Sequence, residues 1–221
     1  MSDTPENRRP LKIRGAGWAQ ALAASLGKAG ASPDLISATS IAFAVTGAGF
    51  FLASGVSEGA FRAICLIVAA TCVQLRLLAN MLDGMVAVEH GRGSPAGPIW
   101  NELPDRIADA FFLVAAGYAA ADAGVSAGVA LGWACAVLAV LTAYVRELGR
   151  GLGFPADFSG PMAKPHRMFA LTVTCVVAAL EPLWGWSGES LAIGLAVIAI
   201  GTVWTAARRT RTLARRLKEK S

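Results

Sequence analysis

Residues 35–54 read LISATSIAFAVTGAGFFLAS, twenty positions without one charged side chain. An α-helix needs about 20 apolar residues to cross the hydrocarbon core of a bilayer. A second uncharged run of twenty residues occupies positions 125–144, and a third of 17 residues occupies positions 191–207. These three runs predict membrane-spanning helices and set the fold class.

The composition of the whole chain agrees with this interpretation. Of its 221 residues, 55% are hydrophobic and 16% are charged, whereas an average soluble domain has roughly 25% charged residues. A soluble enzyme must keep its surface wetted, and a disordered chain is poor in apolar residues. The composition therefore argues against both classes and favours a multi-pass membrane protein.

Three further segments are apolar but contain polar interruptions: 60–88, 98–121 and 168–186. Together with the uncharged runs they predict an all-α membrane protein with six transmembrane helices. We expect three parts: a cytoplasmic N-terminal segment (1–34), a six-helix transmembrane domain (35–207) and a basic cytoplasmic tail (208–221).

A short helix is predicted before the first span. Trp18, Leu22, Ser25 and Leu26 recur at helical spacing, which is typical of an amphipathic helix lying in the membrane interface. An ordinary connecting helix is the alternative. Under either interpretation, this segment precedes the first membrane crossing.

The distribution of charge predicts the orientation. Cations lie at the chain ends and in alternate, longer loops, whereas the short loops between them carry four acidic residues: Glu58, Asp122, Glu181 and Glu189. Positive loops stay in the cytoplasm, so we expect both termini to be cytoplasmic. The net charge of +5 suits anionic lipid headgroups. Because the basic residues flank spans, no nucleic-acid partner is expected.

Four oxygen-bearing side chains interrupt the second and third predicted spans: Asn80, Asp83, Asn101 and Asp105. On a helix, positions 80 and 83 share a face, as do 101 and 105. Two adjacent helices can therefore direct all four at one volume. Hard divalent cations such as Mg²⁺ take oxygen ligands of this kind and often share them with substrate phosphates. Polar groups at membrane depth are costly, so we expect the function here.

The spacing of this cluster resembles the signature of the class I CDP-alcohol phosphatidyltransferase family, D-x-x-D-G-x-x-A-R-x8-G-x-x-x-D-x-x-x-D. Every interval matches. Five positions keep the family residue: Asp83, Gly84, Ala87, Gly97 and Asp105. Three positions depart from it: Asn80, Val88 and Asn101. The paired asparagines are similar to those of a bacterial subgroup of inner-membrane proteins, which implies a bacterial inner-membrane location.

The resemblance implies an activity and a role for each matching residue. The family transfers a phosphatidyl group from CDP-diacylglycerol to an alcohol and releases CMP. Asp83 and Asp105 would coordinate Mg²⁺ or Mn²⁺, one or two ions, with Asn80 and Asn101 as neutral oxygen ligands. Asp105 would also be the general base for the acceptor hydroxyl. Three small residues would shape the nucleotide pocket: Gly84, Ala87 and Gly97. A homodimer is also implied.

Replacing two aspartates with Asn80 and Asn101 removes two negative charges from the cluster. We expect weaker metal binding, or one ion in place of two. Glu102 and Asp109 could compensate, since Asp109 lies one turn beyond Asp105 on the same face. Alternatively, Glu102 pairs with a neighbouring cation such as Arg106.

The family arginine is also missing, because Val88 occupies its position. Arg92, one turn later, or Arg76, one turn before Asn80, could supply the lost nucleotide or phosphate contact. Arg76 could equally extend to the lipid headgroups.

A second candidate site lies between the fourth and fifth spans, with four cations: Arg146, Arg150, Lys164 and Arg167. An Arg-Glu pair at 146–147 with basic residues before the fifth span resembles the phosphatidylglycerophosphate synthase branch of the family. Arginine binds phosphate oxygens in a fork, so this set could bind a phosphorylated acceptor or the CDP-diacylglycerol phosphates. The alternative is a positive loop in contact with anionic lipid.

Three functions are compatible with these residues. The first is an active transferase, on the strength of Asp83 and Asp105 at the family spacing. The second is a catalytically impaired relative that binds CDP-lipid or scaffolds a lipid-synthesis enzyme, because two carboxylates and an arginine are missing. The third is a small transporter with an intramembrane ion path. The one-sided position of the cluster argues against the transporter.

Overall fold

The computed structural model describes residues 12–89 and 96–220, with the backbone alone at positions 12, 13, 89, 98 and 101. The described chain is all-α, as predicted. Its α-helices are α1 (Gly17–Lys28), α2 (Pro33–Gly55), α3 (Gly59–Glu89), α4 (Gly97–Asp122), α5 (Gly128–Gly151), α6 (Lys164–Leu180) and α7 (Glu189–Lys220). Short 3₁₀ turns cover Lys12–Gly15 and Glu181–Trp184.

Within the described residues, five helical segments are long and apolar enough to cross a membrane: Pro33–Gly55, Gly59–Val88, Gly128–Gly151, Lys164–Trp184 and Glu189–Lys220. The chain is thus a multi-pass helical membrane protein by the composition of its helices. The sixth predicted span forms α4, which has 26 residues. Its first half carries four charged residues, Glu102, Asp105, Arg106 and Asp109. Because of these charges, α4 is not among the helices that are apolar enough to cross a membrane. The count of six spans is therefore not confirmed.

The six long helices form a closed ring of neighbours. α2 packs against both α3 and α4, α4 against α5, α5 against α7, α7 against α6, and α6 against α3. The core of this ring combines many alanines with larger apolar side chains, among them Ala44, Phe51, Phe112 and Leu195. α4 also contacts α7 across the ring, and two of its charged residues, Asp105 and Asp109, are buried.

The contact between α4 and α5 depends on glycine. A Cβ atom on Gly117 would lie 2.6 Å from the carbonyl oxygen of Gly128 and 2.7 Å from the Cα of Gly132. The two backbones thus touch directly, which is the usual role of small residues between membrane helices. This close approach fixes how α4 sits in the bundle.

The predicted amphipathic helix forms as α1. It rests on the end of α3 through Ala19 and Ala23, which are fully buried. Trp18 and Leu22 face away from the bundle and are exposed. An outward apolar face agrees with an interfacial helix, whose location in the membrane stays a prediction.

The helices alternate in direction, so the bundle has two distinct ends. The motif end holds the N-termini of α2, α4 and α6 and the C-termini of α3, α5 and α7, as shown by the contacts Ser37–Asp83, Lys164–Asp105 and Arg209–Thr142. The opposite end holds the start of α3, the end of α6 and the start of α7, which meet at Arg62, Glu181 and Ser190.

The basic segment from residue 208 onward continues α7 as one helix to Lys220. Arg209 is buried there, and it donates to the carbonyl oxygens of Thr142 and Ser159 at 3.0 and 2.9 Å. The beginning of the predicted tail is thus packed against α5 and the loop that follows α5.

Candidate functional site

Asp83, at the second aspartate position of the motif, is buried near the end of α3. Its Oδ2 atom accepts a hydrogen bond of 2.6 Å from the Ser37 hydroxyl on α2. Its Oδ1 atom accepts a hydrogen bond from the backbone N–H of Gly84. Both donors are neutral, and among the described residues no cation forms an ion pair with this carboxylate. Asp83 is therefore a buried carboxyl group without a direct counter-ion among the described residues.

The Asp105 carboxylate on α4 lies among cations from α3, from α6 and from α4 itself. Lys164, the first residue of α6, forms an ion pair with its Oδ2 atom. Arg76 on α3 places Nη2 3.1 Å from Oδ1 and donates to the Asp105 carbonyl oxygen at 2.8 Å. Arg106 Nη2 lies 3.4 Å from Oδ2. Three helices meet at this one carboxylate.

Asp109 joins two buried arginines. Arg76 Nη2 lies 2.8 Å from its Oδ1 atom, and Arg167 Nη2 lies 2.6 Å from its Oδ2 atom. The side chains of these three residues are at most 1% exposed. Arg76 thus bridges Asp105 and Asp109 inside the bundle, and the alternative in which Arg76 extends to the headgroups is excluded.

Asp83 and Asp105 lie at the same end of the bundle and near enough for their charges to interact, with Lys164 close to both. Asn80 lies one turn before Asp83, and its Oδ1 atom is buried without a hydrogen-bond partner among the described residues. Among all the residues that the structure describes, no group of three or more His, Cys, Asp or Glu side chains is arranged to hold a metal ion. Asn80 and Asp83 thus supply two buried oxygen donors one turn apart on α3.

The structure describes the remaining motif positions and Arg92 only in part. Gly84 and Ala87 are partly buried on α3, and Gly97 begins α4 at the same end. Position 101 lies on α4, but its side chain is outside the described part, and Arg92 lies outside the described residues altogether. The convergence of all four oxygen-bearing residues on one volume stays a prediction.

A more exposed set of charges surrounds the buried ones. Arg146 at the end of α5 forms ion pairs with Glu102 on α4 and, at 2.8 Å, with Glu147. Arg150 binds Glu147 at 3.0 Å, and Arg106 Nη2 lies 3.5 Å from Glu102. Glu102 thus forms ion pairs, as the alternative interpretation predicted. Its partners are the predicted Arg106 and, in addition, Arg146.

The loop between α5 and α6 is fastened beside these charges. The Asp157 carboxylate accepts a hydrogen bond of 2.8 Å from the Ser159 backbone N–H. Although partial burial raises the pKa of Asp157, its hydrogen bonds with Ser159 and the nearby Arg209 and Arg216 hold the pKa below its usual value. A cavity lies between α5, this loop and α7, with Arg146, Asp157, Arg209 and Arg216 in its lining.

Three structural roles were missed at the level of sequence: the hydrogen bond from Ser37, the bridging position of Arg76, and the pairing of Arg167 with Asp109. One signal was available, because Arg76, Asn80 and Asp83 recur at positions i, i+4 and i+7 of one helix face. No local pattern indicates Ser37, since a serine in an apolar span commonly bonds to its own helix.

No protein-family model matches the sequence, and no curated protein matches it. Solved structures of Mycobacterium tuberculosis phosphatidylinositol phosphate synthase (PgsA1) share the fold. The structure with CDP-DAG bound has 23% identity and a TM-score of 0.72, covering 90% of this chain and 94% of that chain. The complex with manganese and citrate has 23% identity, a TM-score of 0.73, and 88% coverage of each chain. The apo form has 24% identity, a TM-score of 0.72, and coverage of 87% and 94%.

Proposed function

We propose that this chain transfers a phosphatidyl group from CDP-diacylglycerol to an alcohol acceptor and releases CMP. The observation that carries the proposal is the burial of Asp83 and Asp105 at one end of the bundle, at the spacing of the family signature. The shared fold supports it, since one structure of that fold contains CDP-DAG and another contains manganese. We assign the activity to residues 35–207, acting as a membrane-embedded homodimer with cytoplasmic termini.

The oxygen donors at the motif end fit a hard divalent cation. Asn80 Oδ1 is buried and without a hydrogen-bond partner among the described residues, and the Asp83 carboxylate has no ion pair within that same set. Amide and carboxylate oxygens are the ligands that Mg²⁺ and Mn²⁺ prefer. Such an ion, when bound, would screen the diphosphate charge of the lipid substrate. We keep Asn101 and Asp105 as further proposed ligands.

The nucleotide would bind beside the part of α3 that carries small residues. Gly84 and Ala87 carry almost no side chain, so a bulky group can approach the backbone closely. Gly97 would form the adjoining wall from α4. Arg76 is fully buried between Asp105 and Asp109, so we propose that it positions these carboxylates beside the substrate phosphates rather than contacting phosphate itself. Arg92 is the alternative donor to phosphate in place of the family arginine.

We assign the acceptor side to the more exposed cations. The side chains of Arg146, Lys164 and Arg150 are 12%, 18% and 38% exposed, so an anionic group arriving from the headgroup region can reach them. Arg167 is 1% exposed and bound to Asp109. We propose that Arg167 acts through Asp109 rather than by direct contact with phosphate.

Asp105 is the proposed general base. Its carboxylate is positioned by Arg76 and paired with Lys164, so it accepts a proton from the acceptor hydroxyl only after the Lys164 ammonium moves away. A phosphate group of the substrate offers Lys164 an alternative partner. The order of events would then be substrate binding first and proton transfer second.

The test is CMP release by the purified protein. The protein in detergent is incubated with CDP-diacylglycerol, Mg²⁺ or Mn²⁺, and a panel of alcohols that includes glycerol 3-phosphate, inositol phosphate and serine. We expect CMP with at least one acceptor. If every acceptor and metal fails while the mycobacterial synthase releases CMP in a parallel assay, the proposal is wrong.

A second candidate is a relative that binds CDP-lipid without turnover. It is favoured by the neutral Asn80 and by the cations that already hold Asp105. Binding of CDP-diacylglycerol without CMP release would support this candidate. Gain of activity in the triple variant Asn80→Asp, Asn101→Asp and Val88→Arg would indicate a decayed enzyme.

A further inference from the structure

The last helix, α7, is longer than a membrane crossing requires. It continues without a break over 32 residues, Glu189–Lys220, whereas about 20 residues cross the hydrocarbon core of a bilayer. Trp184 and Trp186 lie just before α7, and Trp204 lies about 22 Å from Glu189 along the helix axis. Tryptophan is enriched at both membrane–water interfaces. These tryptophans put the headgroup region at the motif end near Trp204, with the last part of α7 beyond it.

One face of α7 changes from apolar to cationic at this depth. Up to Trp204, which is 66% exposed, the exposed side chains of this face are apolar: Ile193, Val197 and Ile200. Beyond Trp204 the same face carries four exposed cations, the α7 cationic row: Arg208, Arg211, Arg215 and Lys218. Because all these positions recur at intervals of three or four residues, they share one side of the helix. The α7 cationic row therefore continues the exposed apolar face.

The opposite face of the same segment packs against protein. Arg209 is buried and donates to backbone carbonyl oxygens of α5 and of the loop that follows it. Leu213 lies against Gly149 of α5, and Lys220 Nζ lies 5.4 Å from the centre of the Phe154 ring. These contacts hold the end of α7 on the bundle, so the direction in which the α7 cationic row points is fixed.

The α7 cationic row lacks acidic partners within the described part of the chain. No acid there forms an ion pair with any of its four cations. Glu219 is the single acidic residue between positions 208 and 221. Four like charges lie within about 15 Å along the axis, and an anionic partner would relieve their mutual repulsion. Arginine binds phosphate oxygens in a fork.

We propose that the α7 cationic row binds the phosphate groups of anionic phospholipids in the leaflet at the motif end, with Arg208 and Arg211 as the main contacts. Those two residues lie about 6 and 10 Å beyond Trp204 along the axis, and Lys218 lies about 21 Å beyond it. The headgroup layer is roughly 5–7 Å thick on each side, and salt screens charges over about 8 Å. The contribution of each cation therefore declines along the row.

An acidic soluble protein is the other kind of partner that four cations could bind. The lipid is favoured because the row begins at the depth of Trp204 and continues a face that is apolar before it. This surface is separate from the motif residues, and its role does not depend on the proposed transferase activity.

The experiment measures which lipid lies beside Trp204. The full-length protein is reconstituted into vesicles of phosphatidylcholine that contain a fixed fraction of phosphatidylglycerol. Either lipid carries bromine at that fraction, and bromine quenches the fluorescence of nearby tryptophans. Subtracting the signal of Trp204→Phe isolates Trp204 from the other tryptophans. In the wild type, brominated phosphatidylglycerol should quench Trp204 more strongly than brominated phosphatidylcholine.

Variants of the row test the dependence on depth, each measured with and without Trp204→Phe. Arg208→Gln should lower the preference for phosphatidylglycerol roughly fivefold, the usual contribution of one cation at an anionic membrane surface. Arg211→Gln should lower it less, and Lys218→Gln should leave it nearly unchanged. Arg216→Gln is the matched control, because it makes the same chemical change on the packed face of α7, and it should keep the wild-type preference.

Equal quenching by the two brominated lipids in the wild type would overturn the inference. Binding of soluble polyglutamate under those conditions would then assign the row to an acidic protein partner. An equal loss of preference in Arg208→Gln and Lys218→Gln, or in Arg208→Gln and Arg216→Gln, would overturn it as well. CMP release plays no part in the readout, so the result is independent of the proposed function.

Discussion

Both ends of the bundle bury ion pairs, but they do so differently. At the opposite end, Arg62 binds Glu181 at 2.7 Å, and the second oxygen of Glu181 accepts the backbone N–H of Ser190 at 3.0 Å. One acid faces one cation, and their side chains are 0% and 6% exposed. This arrangement joins α3, the turn after α6 and the start of α7, and it is almost completely buried.

The motif end carries several acids and cations at graded depth. Arg76 and Asp109 are sealed inside, Lys164 is 18% exposed, and Glu147 is 39% exposed. Charge therefore extends from the core of the bundle to its surface. Burial of an ion pair alone therefore does not indicate a functional site, whereas a buried charge cluster that extends to the surface does.

The largest expected effect is on catalysis at the motif end. Asp105→Asn removes the proposed base, and general-base catalysis contributes about 10²–10⁴-fold to a rate. We expect CMP release to fall by that factor or below detection. Asp122→Asn, the same change at the other end of α4, is the control and should retain activity. An unchanged rate in Asp105→Asn would remove this residue from the role of base.

The next effect is on stability at the opposite end. Glu181→Gln leaves the buried Arg62 guanidinium without a counter-charge, which typically costs about 3–5 kcal/mol. Thermal unfolding in detergent should shift down, while CMP release per folded molecule stays the same. Glu58→Gln, at an exposed position near the same end, should change neither. Loss of activity in folded Glu181→Gln would show that the two ends are coupled.

A smaller effect is expected from Ser37→Ala. The Ser37 hydroxyl orients the Asp83 carboxylate, and loss of such a supporting hydrogen bond typically weakens metal binding about 10–100-fold. Mn²⁺ titration would measure this change. Ser40→Ala is the matched control, because the buried Ser40 hydroxyl donates to the Ser37 carbonyl oxygen of its own helix and has no other hydrogen bond within residues 12–89 and 96–220. Equal Mn²⁺ affinity in the two variants would contradict a supporting role for Ser37.

The smallest effect concerns pH and the loop beside the motif end. The pKa of Asp157 is lowered in the folded chain, so its contribution to stability is present above its unfolded pKa of about 3.9 and is lost as the pH falls through the folded value. Wild type should therefore unfold at a higher temperature than Asp157→Asn at pH 7, and the difference should shrink below about pH 4. A constant difference would show that the Asp157 charge does not hold the loop.

The helices and the place of the polar cluster along the chain follow from the amino-acid sequence. An apolar run long enough to span a bilayer must satisfy its backbone internally, and a helix does so with local hydrogen bonds. The predicted segments therefore became α2 to α7, and the predicted short helix became α1. Helix periodicity sets the face on which each motif residue lies. Asp83 near the end of α3 and Asp105 near the start of α4 then lie at one end, because the two helices run in opposite directions.

The partners of each ion pair depend on the tertiary structure and could not be predicted from the sequence. Arg76 and Asp105 are 29 residues apart, and Asp105 and Lys164 are 59 apart. Such pairs depend on how α3, α4 and α6 rotate and pack, which the close contact at Gly117 and the Ser37–Asp83 hydrogen bond help to fix. Periodicity gives the face of each helix but not its neighbour, because packing energy is shared among many distant residues.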